Sequence, residues 1–274
     1  AMAGTIAADW IRDGLLGIDG LDLGNPNANP TPPAATDTTT GQEPTTVTGS
    51  VEVVPDGLRF VVHVARGSAG QSDTVSVPAG RPADALPALR RSVSAALSAL
   101  LGVPPADSLA LAATPPAWEA YTAFLLGRRA FGLSAGRSRD HFLTALERDT
   151  GYARAMHWMG MILQLQRRLG EADSLFEAAT RHAERLGPYD RAALAFVHQG
   201  DMHADWEDAL EAARTMARLA PSSPHAAWTH GLAALRFGRP TEAIAALTPL
   251  DRLGAPRSAG RGPHGQPGAL PGRR

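Results

Sequence analysis

Two residue types are missing altogether from the 274 residues: cysteine and lysine. Without cysteine there are no disulfides, zinc thiolates, thiol nucleophiles or cysteine-held iron–sulfur clusters. Without lysine there is no Schiff-base chemistry and no phosphate-loop lysine. All 26 basic residues are arginines, and they meet 27 acids, for a formal net charge of -1. That balance excludes a uniformly basic nucleic-acid binder. Any run of about 18 apolar residues is absent too, so no membrane span is expected. Ala1-Met2-Ala3 carries no basic stretch ahead of an apolar core, so no signal peptide is expected. The compartment, cytoplasmic or periplasmic, stays open. What abounds is alanine, with 51 residues, a bias that reflects GC-rich coding as much as structure.

Residues 5–17 carry a helical pattern: Ile6, Trp10 and Leu15 share one face, and Gly17 can end the turn. Residues 24–50 are rich in Pro, Thr and Asn and nearly bare of apolar anchors, which predicts an exposed, partly mobile loop, the alternative being an extended stretch stapled across a surface. From residue 51 the period changes to two. Val51 and Val53 fall on one face ahead of Pro55-Asp56-Gly57, a hairpin signal, and Leu58, Phe60, Val62 and Val64 line one face of the next strand. A third short strand is expected at 73–77. Leu86, Leu89, Val93, Leu97 and Leu100 then recur at three and four, predicting a helix over 83–101 that Gly102 and Pro104-Pro105 end. From Ala117 onward only helical patterns remain. The last 24 residues hold five arginines and one aspartate among many Gly and Pro, and are expected to be disordered.

An internal repeat runs through the helical half. Ser138, Phe142 and Ala145 are spaced four and three, as are Ala172, Phe176 and Ala179; then Ala209, Ala213 and Met216; then Ala243, Leu247 and Leu250. Successive units lie 34, 37 and 34 residues apart. A glycine stands upstream at Gly127, Gly160 and Gly231, while Val197 takes that place in the third unit and Ala213 replaces its bulky residue. Breaks at Gly136, Gly170 and Gly238 are expected just before second helices. This period and these positions resemble tetratricopeptide repeats. The resemblance implies two-helix units, each unable to bury its apolar face alone, stacked into a right-handed solenoid. The first helices would line a concave face. Tyr121, Phe124, Arg128, His157, Met161, Gln164 and His198 are the residues expected there to contact a protein or peptide partner.

Thr48-Gly49-Ser50, the hairpin VEVVPDGLRFVVHV, the helix end SAALSALLG and the repeat opening PPAWEAYTAFLLGRRAF together look like a known bacterial arrangement. They are similar to the region that follows the kinase in some serine/threonine protein kinases, and to some transcriptional regulators. There a module resembling the amino-terminal domain of TolB precedes tetratricopeptide repeats. The resemblance covers most of 5–250 and implies the interaction region of a bacterial signalling or regulatory protein. That family has a strand ahead of its first helix and this chain starts almost at the helix, so a fragment is expected. The expected organisation is an α+β module at 1–112, an all-α solenoid of about four tetratricopeptide-like hairpins at 113–250 and a disordered tail at 251–274.

Gly132-Leu133-Ser134-Ala135-Gly136 matches G-x-S-x-G, which in serine hydrolases puts the serine on a sharp strand-to-helix turn. The residues ahead, AYTAFLLGRRAF, read as helix, so a turn inside the first hairpin is the competing reading. Because serine triads recur on unrelated scaffolds, a carboxylic ester hydrolase acting on a small ester is the enzyme alternative. Its candidate catalytic residues are Ser134 with His141, His157, His198, Asp190 and Asp201. The run His198-Gln199-Gly200-Asp201-Met202-His203 gathers three potential metal ligands, but no H-E-x-x-H occurs, and Asp201 and His203 read as helix-ending residues around Gly200. No metal and no cofactor is expected. Arg128-Arg129, Arg137, Arg139 and Arg167-Arg168 read as solvated faces balanced by Glu171, Asp173 and Glu177. The tail arginines lack interleaved aromatics, so no specific nucleic-acid partner is expected.

Overall fold

The computed structural model describes residues 2–16, 45–101, 115–248 and 250. The expected loop over 24–44, the stop signals at Gly102 and Pro104-Pro105 and the tail from 251 lie outside these residues. Helix α1 (Met2–Leu15) turns Ile6, Ala7, Trp10 and Leu15 inward, and begins before the predicted start at residue 5. Three antiparallel strands follow in the order β1-β2-β3: β1 (Thr45–Val54), β2 (Gly57–Arg66) and β3 (Ala69–Pro78).

Residues 45–50 therefore belong to a strand, not to the expected loop. Thr45, Thr46, Val47 and Thr48 pair with Arg66, Ala65, Val64 and His63, and their branched side chains suit the pleated backbone even where little is buried. β3 likewise starts four residues before the expected 73, because the pairing continues to Arg66↔Ala69. Phe60, Val62 and Val64 are buried on one face of β2, whereas Val53 is 87% exposed. Helix α2 (Ala85–Leu101) covers that face with Leu86, Leu89, Val93 and Leu97.

The rest is a stack of paired helices resembling tetratricopeptide hairpins. α3 (Trp118–Ala130) pairs with α4 (Ala135–Arg148), and α5 (Ala153–Leu165) with α6 (Leu169–Arg181). α7 (Pro188–Ala195) runs into a widened π-type turn (Phe196–Met202) and pairs with α8 (Trp206–Leu219). α9 (Pro224–Arg236) pairs with α10 (Pro240–Leu247). Proline opens α7, α9 and α10, where its missing N–H costs nothing. Ser134, Asp205 and Ser223 cap α4, α8 and α9 through their side-chain oxygens. Gly136 and Gly170 sit within the first turns of α4 and α6 rather than ahead of them.

The recurring glycines are where the paired helices nearly touch. A Cβ on Gly127 would stand 2.6 Å from the Phe142 ring, one on Gly160 would stand 2.6 Å from the Phe176 ring, and one on Gly231 would stand 2.5 Å from Leu247. The bulky residue of each second helix thus fills the space a side chain would need. Ser138, at the small position of the first unit, is fully buried and donates to the Gly127 carbonyl at 2.8 Å. In the third hairpin the close approach has moved to Gly200, where a Cβ would meet Ala209 and Trp206 at 2.9 Å. The π-type turn supplies this shift, since Val197 occupies the earlier glycine place and Ala213 offers no large ring.

Candidate functional site

A cavity of about 490 Å³ lies along the first helices of the hairpins, and α1 walls one side of it. Its lining includes Asp9, Arg12 and Asp13 from α1, Arg128 from α3, and Arg154, His157, Trp158 and Met161 from α5. Tyr189 and Asp190 from α7 and His225 and Trp228 from α9 add to the polar and aromatic part. Helical spacing explains this convergence: Arg154, His157, Trp158 and Met161 recur at three and four along α5 and so share one face.

An ionic network ties α1 to the stack. Asp9 accepts from the Tyr121 hydroxyl at 2.7 Å and from Arg154 Nη1 at 2.9 Å, and Arg128 lies 3.8 Å away. Arg154 Nε lies 2.7 Å from Asp190 Oδ2, an ionic contact without hydrogen-bond alignment. Burial works against the charge of Asp9, but Arg154, Arg128 and the Tyr121 hydroxyl outweigh it and hold the carboxyl below its usual range. Burial also opposes the charge of Arg154, and Asp190, Asp9 and Asp13 more than compensate, so its guanidinium is held charged more firmly than usual.

Asp13 behaves differently. Burial, helped by the neighbouring charges of Asp190 and Asp9, pushes its carboxyl up to about 7. Its partner Arg90 lies 3.5 Å away, donates to the Trp10 carbonyl at 2.6 Å and stacks 3.8 Å from the centre of the Trp10 ring. Burial lowers the affinity of Arg90 for its proton as well, but the guanidinium stays charged.

His157 is 6% exposed, and its Nε2 has no hydrogen-bond partner among the described residues. Burial lowers its imidazole to about 4, so the ring is neutral at physiological pH. The ring forms part of the cavity wall, while Nε2 itself is enclosed, an unsatisfied polar atom within the protein.

Only some of the residues expected to contact a partner reach the cavity. Arg128, His157 and Met161 line the cavity. Tyr121 and Phe124 are fully buried beneath it, in an aromatic cluster with Tyr152 and Phe142. Gln164 is partly buried near the end of α5, and its Oε1 has no partner among the described residues. His198 faces another way, toward Asp173 and His203.

The hydrolase candidates do not come together. Ser134 is the N-cap of α4, and its Oγ accepts from the Arg137 amide at 3.4 Å. The turn before it carries Gly132 at φ 86, between two helices and not after a strand. His141 lies seven residues along the same helix, about 10 Å by helical rise, beyond proton-transfer reach. His157, Asp190 and Asp201 line the cavity, and Ser134 is not part of that wall. Nothing in this arrangement supports an esterase site.

Two features of the structure carry no signal in the sequence. Asp9, Asp13 and Arg154 gave no motif, because their partners lie far along the chain. Asp173 joins His198 and His203, although the local run had offered Asp201 instead.

Comparison with known proteins adds little beyond this geometry. No family model and no curated protein matches the chain. Two of the similar solved structures are crystal structures of MamA. One has 15% identity and a TM-score of 0.34, covering 64% of this chain and 93% of MamA. The other has 16% identity and a TM-score of 0.33, covering 64% and 81%. The likeness of the first hundred residues to the TolB amino-terminal module finds no support in these comparisons. No helix among the described residues is long and apolar enough to cross a membrane.

Proposed function

We propose that this chain is a binding scaffold whose cavity along the first helices holds a segment of a protein partner. The observation that carries this reading is a cavity of about 490 Å³ along the first helices, walled by aromatic side chains and the His157 ring, a size in the range of ligand pockets. Trp158, Tyr189, Trp228 and Met161 offer apolar contact around it, with Arg128 at the rim. The bound segment would place an apolar side chain among the aromatic residues, against the ring of His157. Residues 1–112 and 113–250 remain the proposed divisions, with α1 contributing directly to the binding wall. The place in bacterial signalling rests on the sequence resemblance alone, and the cavity adds nothing to it.

The test is selection from a displayed library of random 12-residue peptides, followed by fluorescence anisotropy of the enriched sequences. His157→Ala and Trp158→Ala should each weaken binding at least about tenfold, the loss of one good interface contact. Arg137→Ala, on the outer side of the first hairpin, should leave it unchanged. Failure to enrich any peptide, or equal binding by all variants, would remove this reading.

A further inference from the structure

We propose that Asp173, His198 and His203 form a site for one divalent transition-metal ion of the zinc class, held at the joint between the second and third hairpins. This site is separate from the cavity described above and stands whether or not that cavity binds a peptide.

The donor geometry is the first argument. His198 Nε2 and His203 Nε2 lie 3.0 Å apart, and each lies 3.2 Å from the same oxygen, Asp173 Oδ1. Bonds of ~2.1 Å to zinc, meeting at angles between octahedral and tetrahedral, place neighbouring donors ~3.0–3.4 Å apart. All three separations fall in that interval. A metal equidistant from the three would sit about 1 Å from their common plane. Two imidazole nitrogens this close repel through their lone pairs unless a proton or a cation stands between them.

The fold supplies a second argument. On a regular α-helix, residues five apart point about 140° away from each other. His198 and His203 have that spacing, and it is the π-type turn over Phe196–Met202 that brings them to one side. The turn closes through Ala204, which adopts φ 57, a conformation uncommon for alanine. The same widened segment interrupts the repeat where Val197 replaces the expected glycine. Asp173 arrives from α6 of the preceding hairpin, 25 residues earlier. The three donors thus span two repeat units.

The chemistry selects the metal. Two imidazoles and one carboxylate suit zinc and its late-transition neighbours rather than magnesium or calcium, which take oxygen donors. The His203 and Asp173 side chains are 44% and 32% exposed, so an ion can enter from solvent. Three protein donors leave positions for water. The ion would pin α6 to the π-type turn and stiffen the one joint where the repeat spacing is irregular.

The experiment is isothermal titration of the full chain with Zn²⁺ alone in a non-chelating buffer, with thermal unfolding in parallel. One equivalent should bind saturably and raise the Tm. His203→Ala and Asp173→Asn should each weaken binding at least about tenfold, since losing a ligand costs no less than losing its outer-shell support. Both side chains are partly exposed, so circular dichroism should show each variant folded, unlike the more buried His198. His141→Ala and His182→Ala, elsewhere on the surface, should bind zinc as wild type does. Mg²⁺ in equal amount should not displace it. Absence of saturable zinc binding would overturn the proposal, leaving the three groups as a hydrogen-bonded cluster. Undiminished binding by His203→Ala or Asp173→Asn would overturn it equally, by placing zinc on other histidines.

Discussion

Asp9 and Arg154 meet at 2.9 Å although 145 residues separate them in sequence. This contact joins the first helix to the second hairpin of the stack, and it is one spoke of a hub. The same carboxylate accepts from Tyr121, and the same guanidinium reaches Asp190. Replacing Asp9 by Asn should destabilise the protein by about 2 kcal/mol, the worth of hydrogen bonds to a charged group. Asp9 retains 20% side-chain exposure, so water recovers part of the larger penalty of a fully buried pair. Arg154→Met should cost a similar amount, and the double variant less than the sum. Additive losses in urea unfolding would show that the two side chains do not act together.

Asp13 predicts a pH dependence of defined sign. Its folded carboxyl is raised to about 7 by burial, against about 3.9 when unfolded. Its contribution is therefore fully present below about pH 4 and is lost as the pH rises through about 7. Asp13→Asn, which is neutral throughout, should remove this decline. The stability difference between wild type and variant should fall between pH 4 and pH 7 and then level off. Asp9 has the opposite sign, since its carboxyl is held below its usual range. Its contribution is present above about pH 4 and is lost on further acidification. Denaturant unfolding across pH 3 to 8 separates the two windows, and a flat difference for Asp13→Asn would contradict the assignment.

Gly160→Ala tests the helix-packing frame. The added methyl would stand 2.6 Å from the Phe176 ring, a distance that forces the helices apart or the ring off its rotamer. Overpacking of this kind costs about 1–3 kcal/mol. Gly170→Ala, where a Cβ meets nothing within 4 Å, should be neutral or slightly stabilising through helix propensity. Chemical denaturation of the two variants side by side checks this, and equal stabilities would mean that the glycine position has no packing role.

Ser134→Ala distinguishes a cap from a nucleophile. The Oγ accepts from the Arg137 amide at a long 3.4 Å, so its removal should cost about 0.5–1 kcal/mol, the low end for an N-cap. Hydrolysis of p-nitrophenyl acetate should be the same in variant and wild type. A loss of ester turnover in a folded variant would restore the hydrolase reading.

Much of the fold was legible in the residues themselves. The change from period two at Phe60, Val62 and Val64 to periods of three and four at Leu86, Leu89 and Val93 reports local geometry, which the backbone imposes wherever the chain folds. The repeat was legible for the same reason: each glycine and its bulky counterpart, such as Gly160 and Phe176, lie in one hairpin and within about 16 residues. Residues 45–50 escaped because their strand is held by pairing with β2 rather than by an apolar pattern.

The sites were decided by tertiary structure. Arg128, His157 and Met161 could be placed on the first helices from the repeat alone, but Tyr121 and Phe124 share those helices and point inward. Asp9 and Asp13 belong to no motif in the sequence, and it is the packing of α1 that lays them against Arg154 and Arg90. His198 and His203 stand at a spacing that separates them on any regular helix, and only the π-type turn turns them toward Asp173. Periodicity records which face a residue occupies within one element. Which faces meet depends on how the elements pack, and a charge or a ligand nitrogen acquires its chemistry only from what packing brings to it.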